Sequence, residues 1–338
     1  MTASVALRDG LRRALAAPAI LAGSFVLTLT LSMPLAFALR DMLEAHFGRS
    51  LMADAALRGA NAEWWQEFSA QATGIGTTFV PSIAGFGAVL LNLSDFLDNV
   101  PLVTTIAGVT GAWLVVWSFL SGGIIDRLAR DRPTRARGFF GACGEHFAPI
   151  ARLGLVALLG YGLLFGWLHP LLFDVAYPRM TRDLTVERTA FAIRAALYAV
   201  FLMALIALNV IVDYARIRIV VEDRHSAIGA LLAGGRFARR NLAAFGALYL
   251  MNAVLFLGVV GIYALIAPRA SMPAWLILAI GEGYIVLRLF LKLAFYASET
   301  SLFQARLAHA SYTAGPPIAW PESPAAETIT NARPATTP

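Results

Sequence analysis

The feature that most constrains this sequence is a series of uncharged apolar stretches, several of which reach about 20 residues, enough for a helix to span a hydrocarbon core. In lipid every backbone N–H and C=O group needs a partner within the protein, so only helices and closed barrels cross a membrane. The stretches are continuously apolar and do not alternate as barrel strands do. The pattern therefore predicts an all-α, polytopic membrane bundle.

The overall composition supports this class. Only 14% of the 338 residues are charged and 58% are hydrophobic, whereas a soluble domain carries about 25% charged residues. The lone cysteine, Cys143, excludes an internal disulfide and a cysteine metal cluster, and we predict no cofactor and no metal site. Because the arginines flank the apolar stretches, they are explained by topology and anionic lipid headgroups, and we predict no nucleic-acid partner.

The apolar stretches predict six transmembrane helices. Their predicted bounds are Ala17–Leu39, Pro101–Ser121, Leu153–Leu172, Phe191–Val212, Leu242–Ala267 and Trp275–Tyr296. Arginines cluster before the first span, between the second and third, and between the fourth and fifth, so the basic segments alternate along the chain. The positive-inside rule then predicts a multi-pass protein of the cell inner membrane with both termini in the cytoplasm.

Two segments outside the spans carry separate predictions. Residues 1–310 are expected to form the transmembrane domain, with an extracytoplasmic insertion over 40–100. Within it, residues 74–93 carry four glycines and Pro81, which favours a re-entrant or interfacial hairpin over a seventh span. The tail 311–338 is rich in proline and poor in apolar residues, and is predicted to be disordered.

A weak internal repeat precedes the first, third and fifth spans. The stretches LRRALAAPAILAG, ACGEHFAPIARLG and GGRFARRNLAAFG align Pro18 with Pro149, and Gly23 with Gly154 and Gly246. Each places an amphipathic basic stretch directly before a span. The arrangement predicts three units, each consisting of a cytoplasmic interfacial helix followed by a transmembrane hairpin.

The third of these basic helices also carries a family resemblance. A span ending in DYAR, then IVVE with Glu222, then AIGALLAGGRF, resembles a loose group of six-span bacterial and archaeal proteins. That group includes the membrane domain attached to some glycerophosphodiester phosphodiesterases and related multi-pass bacterial proteins. The resemblance implies the six-span architecture. It implies no activity, because the hydrolase chemistry of those proteins resides in a separate soluble domain that this sequence lacks.

Ionisable residues within spans are candidates for function by default. The sixth span contains Glu282, Arg288 and Lys292, and helical spacing places Arg288, Lys292 and Glu299 on one face. This face is either a pair of cations that snorkel to the interface beside Glu299, or a polar groove for an anionic headgroup or solute. Asn252 is expected to bond to a neighbouring helix, and Asp213 to pair with an arginine of the following loop or with Lys292.

The basic helix supplies the remaining candidates for a ligand or lipid-headgroup site. Glu222 precedes it, and Arg236, Arg239 and Arg240 end it. These arginines either reach lipid phosphates or belong to a helix that covers the end of the bundle. In the third span, Gly162 and Gly166 form a small-xxx-small pair that predicts close packing between helices of the bundle first, and a dimer contact only second.

No catalytic constellation stands out from this sequence. His169 and Asp174 fit an H-x4-D pattern, but the spacing is common by chance and an interface histidine is the preferred interpretation. We therefore predict a non-enzymatic membrane component that engages anionic membrane lipids, or a protein partner or second copy. The alternative is a transporter of an anionic or lipidic solute.

Overall fold

The chain forms a set of α-helices that the structure, a computed structural model, describes over residues 1–57, 61–80, 86–268 and 272–307. The helices are α1 (Ala3–Leu15), α2 (Pro18–Phe47), α3 (Ala53–Leu57), α4 (Ala62–Gln71), α5 (Phe86–Leu97), α6 (Thr104–Arg130), α7 (Ala136–Leu163), α8 (Tyr177–Thr181), α9 (Glu187–Val221), α10 (Ala227–Arg240), α11 (Leu242–Ile266) and α12 (Ala274–Arg306). Two π-helical turns, Leu164–Leu168 and Leu171–Ala176, lie between α7 and α8. A 3₁₀ helix covers Gly74–Thr78.

Six helical segments of the described chain are long and apolar enough to cross a membrane. They are Pro18–Phe47, Thr104–Arg130, Ala136–Thr181, Glu187–Val221, Leu242–Ile266 and Ala274–Arg306. Each overlaps one predicted span, so the prediction of an all-α, multi-pass membrane protein is confirmed.

The segment 74–93 does not form a seventh spanning helix in its described part. The 12 residues of α5 extend for about 18 Å, well short of the roughly 30 Å of a hydrocarbon core. Residues 81–85 lie outside the described residues, as does the predicted disordered tail 311–338. The helix α5 instead packs against α11.

At one end of the molecule, three spans continue beyond their predicted ends. α6 ends at Arg130, α9 at Val221 and α12 at Arg306, each more than two helical turns past the expected boundary. We call this end of the bundle the arginine-rich end. It comprises these three extensions together with α1, the first half of α7, and α10.

The core of the described chain concentrates at the arginine-rich end. α1 packs along the extension of α12, the first half of α7 along that of α6, and α10 along that of α9. Every residue from Leu120 to Ala129 and from Tyr296 to Gln304 is buried. Within lipid, apolar side chains gain little by packing together. Beyond the lipid they must be covered, so the three extensions acquire three helical partners.

All three helix pairs close on a glycine. A Cβ atom added to Gly10 of α1 would lie 2.5 Å from the backbone nitrogen of Ser298 and 2.7 Å from the carbonyl oxygen of Ala294 in α12. At Gly123 of α6 it would lie 2.7 Å from the carbonyl oxygen of Phe139 in α7, and at Gly234 of α10 it would lie 3.0 Å from backbone atoms of α9. A side chain at any of these positions would push the two helices of its pair apart.

The small-xxx-small pair in the third span does not have this role. Among the described residues, no atom lies within 4 Å of a Cβ added to Gly162 or Gly166. The prediction of close packing at these two glycines is wrong, because both face away from neighbouring helices.

Two of the helix pairs are continuous in the chain and the third is not. The loops after α6 and α9 turn through Asp131 and Asp223, which adopt left-handed backbone conformations with φ of 49° and 50°. The pair of α1 and α12 is closed by side chains instead. Asp9 accepts hydrogen bonds from Arg13 Nε and from the Ser301 hydroxyl, both at 2.7 Å.

The electrostatics of Asp9 reflect this closure. Burial raises the pKa of its carboxyl, but hydrogen bonds from Ser301 and Arg12 and the charge of Arg13 outweigh burial, so the pKa lies below its usual value. Asp9 is thus held ionised between α1 and α12, where it pairs with cations of its own helix.

The predicted three-unit repeat is only partly reproduced. α1 and α2 are separate helices, as are α10 and α11, and in both cases the basic helix directly precedes its span. The middle unit differs, because α7 runs as one helix through Pro149. α10 also packs along α9 and covers it, so only its arginine-bearing end approaches the spans.

The opposite end of the bundle is closed by a smaller contact. Asp98, just after α5, accepts hydrogen bonds from the hydroxyls of Tyr198 in α9 and of Ser94, and Arg194 lies 3.7 Å away. The hydrogen bond from Tyr198 lowers the pKa of Asp98, and the charge of Arg194 adds to this effect. This contact fixes the end of α5 to the fourth span, α9.

The close approach at Gly10 gives a first prediction. Gly10→Ala should lower the free energy of unfolding by about 1–3 kcal/mol, because the added methyl group overlaps the α12 backbone. Gly162→Ala is the matched control, and its open surroundings should leave only the gain of about 0.5–1 kcal/mol expected of alanine in a helix. Denaturant unfolding in detergent compares the two, and equal effects would contradict the assigned packing.

Candidate functional site

A buried group of ionisable side chains lies where α9, α11 and α12 meet, near the arginine-rich end. The hydroxyl of Tyr249 is 3.1 Å from Oδ2 of Asp213 and 2.9 Å from Oε1 of Glu299. A tyrosine hydroxyl has one proton to donate. Both contacts are hydrogen bonds at once only if one carboxyl carries a proton and donates it to the tyrosine oxygen. The three residues therefore form a chain suited to holding a proton in a buried position.

A second part of the same group surrounds Tyr296. Arg216 Nη1 donates to the Tyr296 hydroxyl at 2.8 Å and lies 3.4 Å from Oδ1 of Asp213. The indole N–H of Trp117 also donates to Tyr296, at 3.2 Å. Asp213 thus pairs with an arginine one helical turn away, as the sequence predicted. These bonds connect α6 to α9 and α12.

Lys292 lies against two tryptophans of α6. Its Nζ is 3.8 Å from the ring centroid of Trp117 and 4.3 Å from that of Trp113, and the two indoles are stacked. Cation–π contact stabilises an ammonium group where water is scarce. Glu299, predicted to support the cations of this face, bonds to Tyr249 instead. Lys292 is therefore held by aromatic rings.

Arg288 and Glu282 occupy a different place from Lys292. Both line a groove of about 580 Å³ between α5, α11 and α12. Arg288 is exposed, and its guanidinium lies 5.6 Å from the ring centroid of Tyr284. Oε2 of Glu282 and the hydroxyl of Tyr284 are buried without a hydrogen-bond partner among the described residues. The predicted single polar face of the sixth span is thus divided between two environments.

Two further candidates are engaged locally. The side-chain amide of Asn252 donates to the carbonyl of Leu248 in its own helix, at 2.9 Å. Glu222 accepts from Arg218 Nη2 at 2.9 Å and from Arg224 Nε at 2.6 Å. Its side chain is 4% exposed. Glu222 thus closes the end of α9 between two arginines.

The three terminal arginines of α10 differ from Glu222, because they are exposed. Arg236, Arg239 and Arg240 project from one side of α10, while the other side packs on α9 through Gly234 and Phe237. None of the three arginines has an ion-pair partner in the part of the chain that the structure describes.

An apolar groove of about 500 Å³ lies beside these arginines, between α9, α10 and α11. Arg239 stands at its edge, and its walls include Ile206 and Val210 of α9 and Gly246 of α11. No described atom lies within 4 Å of a Cβ added to Gly246. The glycine keeps the groove open directly beneath the exposed cation.

Sequence reasoning missed Tyr249 and Tyr296, which hold the buried group together. A tyrosine in an apolar span gives no signal of its own, because its ring fits lipid as well as a core. The only available hint was the presence of two carboxylates, Asp213 and Glu299, near the same end of two spans.

His169 has a structural role in this fold. Its Nε2 lies 3.0 Å from the carbonyl oxygen of Leu97, and its ring packs against Phe173 and Phe201. These contacts fix the end of α5 to the third and fourth spans.

No family model, no curated protein and no solved structure matches this chain.

The Tyr249 bridge gives a second prediction. Tyr249→Phe removes the hydroxyl shared by Asp213 and Glu299 and should destabilise the protein by about 1–3 kcal/mol, because buried polar groups lose their partner. Tyr284→Phe is the control, since the hydroxyl that it removes has no partner among the described residues. Thermal unfolding in detergent measures both. A Tyr249→Phe variant as stable as Tyr284→Phe would contradict the bridge.

Proposed function

We propose that this is a non-enzymatic membrane protein whose arginine-rich end binds anionic lipid headgroups. The observation that carries the proposal is the exposed set of Arg236, Arg239 and Arg240 beside an apolar groove between spans. An anionic lipid combines a negative headgroup with an apolar chain. A cation at the mouth of an apolar groove offers contacts to both parts.

The arginines of α10 are exposed and have no ion-pair partner in the described ranges, so they can meet such a ligand. The helix is held by its opposite side, where alanines, Gly234 and Phe237 pack on α9. The ion pairs at this end of α9 use Arg216, Arg218 and Arg224 instead. The helix thus keeps its place without the three terminal cations. Each arginine near an anionic surface contributes about 1 kcal/mol of attraction.

The same arginines support an orientation. The arginine-rich end carries α1, α10 and the loop after α6, and basic segments favour the cytoplasmic side. We therefore place the protein in the cell inner membrane with both termini in the cytoplasm. Membership of the six-span group that it resembles, and binding of a protein partner or second copy, remain predictions.

Neutralising the three arginines tests the lipid proposal. The triple variant Arg236→Gln, Arg239→Gln, Arg240→Gln should retain less phosphatidylglycerol than wild type when purified from mixed phosphatidylglycerol and phosphatidylcholine nanodiscs. Quantitative lipid mass spectrometry provides the measurement, and the difference should shrink in high salt because exposed charges are screened.

The matched control changes the same number of charges at the opposite end. Arg179, Arg182 and Arg188 are also exposed, and their replacement by glutamine should leave phosphatidylglycerol retention closer to the wild-type level. Equal retention in wild type and the α10 variant, or an equal loss in both variants, would refute binding at the arginine-rich end.

The alternative, transport of an anionic or lipidic solute, is favoured by a separate observation. The groove between α5, α11 and α12 contains an exposed arginine, Arg288, together with polar atoms of Glu282 and Tyr284 that have no hydrogen-bond partner among the described residues. These residues lie along the middle of a span. Such groups would suit a solute that carries charge through the membrane.

Accessibility from the two sides tests transport. Gly281 lines this groove, and a side chain added there meets no described atom within 4 Å. The native Cys143 is buried, so a Gly281→Cys variant offers a single exposed thiol. A transport path predicts labelling by an impermeant maleimide from either side of a proteoliposome. Labelling from one side only, or none, would argue against transport.

A further inference from the structure

A second groove at the arginine-rich end combines a buried cation with apolar walls. It encloses about 370 Å³ between the turn from α1 to α2, the end of α6 and the start of α7. Its polar floor includes Arg127, and its walls include residues from α2, α6 and α7. It is separate from the groove beside α10, with which it shares no lining residue.

Arg127 is the first feature that indicates a ligand. The residue is 6% exposed, and its Nη2 donates to the carbonyl oxygen of Ala16 at 3.0 Å. Its Nη1 is buried and has no hydrogen-bond partner among the described residues. Asp131 attracts this guanidinium, but its carboxylate is hydrogen-bonded to Arg12. A buried guanidinium nitrogen without a partner is costly, and an anion in the groove would satisfy it.

The start of α2 is the second, independent feature. This helix has 30 residues and begins at Pro18, and its N-cap residue, Ala17, has no side chain that could accept a hydrogen bond. Pro18 has no N–H, and the N–H groups of Ile20 and Leu21 bond to the carbonyl oxygen of Ala17. The N–H of Ala19 and the positive end of the helix dipole are therefore what favours an anion at this helix start. Ala17, Pro18 and Ala19 line the same groove as Arg127. Two sources of positive potential therefore converge on one place.

The walls show what accompanies the anion. Ile20, Gly23 and Leu27 of α2 face Leu120 and Ile124 of α6 across the groove. Along α2, the distance from Pro18 to Leu27 is about 14 Å at 1.5 Å per residue. A free phosphate would make no favourable contacts along an apolar channel of this length, whereas an acyl chain would. No described atom lies within 4 Å of a Cβ added to Gly23, so this glycine leaves room for the chain.

We infer that this groove binds a single anionic phospholipid, with its phosphate between Arg127 and the first turn of α2 and an acyl chain along Gly23 and Leu27. The site goes beyond the proposed function, which rests on the exposed arginines of α10. This groove is a pocket that holds one lipid molecule. The α10 surface, by contrast, attracts several anionic headgroups without a pocket for any one of them.

Native mass spectrometry of the full-length protein in detergent tests the inference, with phosphatidylglycerol as the probe. Wild type should bind one phosphatidylglycerol more tightly than phosphatidylcholine with the same acyl chains. Arg127→Gln should weaken this binding by about tenfold or more, since it removes a charge-assisted contact. Arg127→Lys keeps the charge and should recover part of the affinity. Arg137→Gln, an exposed change in the first turn of α7, should leave the affinity at the wild-type level.

A second variant separates ligand loss from misfolding. Gly23→Leu fills the acyl channel, and its Cβ meets no described atom. It should abolish the single tight binding event while the protein elutes and unfolds as wild type does. Gly162→Leu, also in open surroundings, is the control and should bind normally. If Arg127→Gln fails to fold, Gly23→Leu still decides the question.

Three results would overturn the inference. These are equal affinity for phosphatidylglycerol and phosphatidylcholine, unchanged binding in both Arg127→Gln and Gly23→Leu, or thermal stabilisation by inorganic phosphate as large as that by the lipid. The α10 triple variant should keep this one tight lipid. Failure of the surface proposal and failure of this site are therefore seen in different variants.

Discussion

The structure depends on a change of solvent at the membrane boundary. Inside lipid the spans need little contact with one another, because the surroundings are as apolar as the side chains. Where α6, α9 and α12 continue past the lipid, their apolar faces must be covered, and α1, α7 and α10 cover them. The protein therefore has its tightest packing, its closest glycine contacts and most of its buried polar bonds at one end.

This division explains where binding features arise. The helix pairs at the arginine-rich end pack closely, and grooves lie at the α1–α2 and α10–α11 junctions where the spans begin. Gly23 and Gly246, which the weak repeat aligns, each line one of these grooves. The repeat thus marks two similar junctions where a basic helix gives way to a span.

Much of the fold was predictable from the sequence, since six apolar stretches and alternating arginine clusters fix the number of spans. The ends of the spans were not predictable, because residues beyond the predicted boundaries, such as Ile217 and Phe303, are also apolar. These residues are buried against a partner helix, and the sequence does not distinguish this from burial in lipid. The candidate site was harder still. The sequence placed Arg288 and Lys292 on one face. Tertiary packing separates their surroundings, because Lys292 lies against Trp117 of α6 and Arg288 lines the groove beside α5 and α11. Arg127 was counted among basic loop residues, and only its burial marks it out.

The pairing of α1 with α12 has a consequence for assembly. During synthesis α1 emerges before its partner, whereas α7 and α10 each follow their partner within a few residues. The contact of Gly10 in α1 with Ala294 and Ser298 can therefore form only after α12 has been synthesised. Of the three helix pairs at the arginine-rich end, this one therefore forms last, after the sixth span has been made.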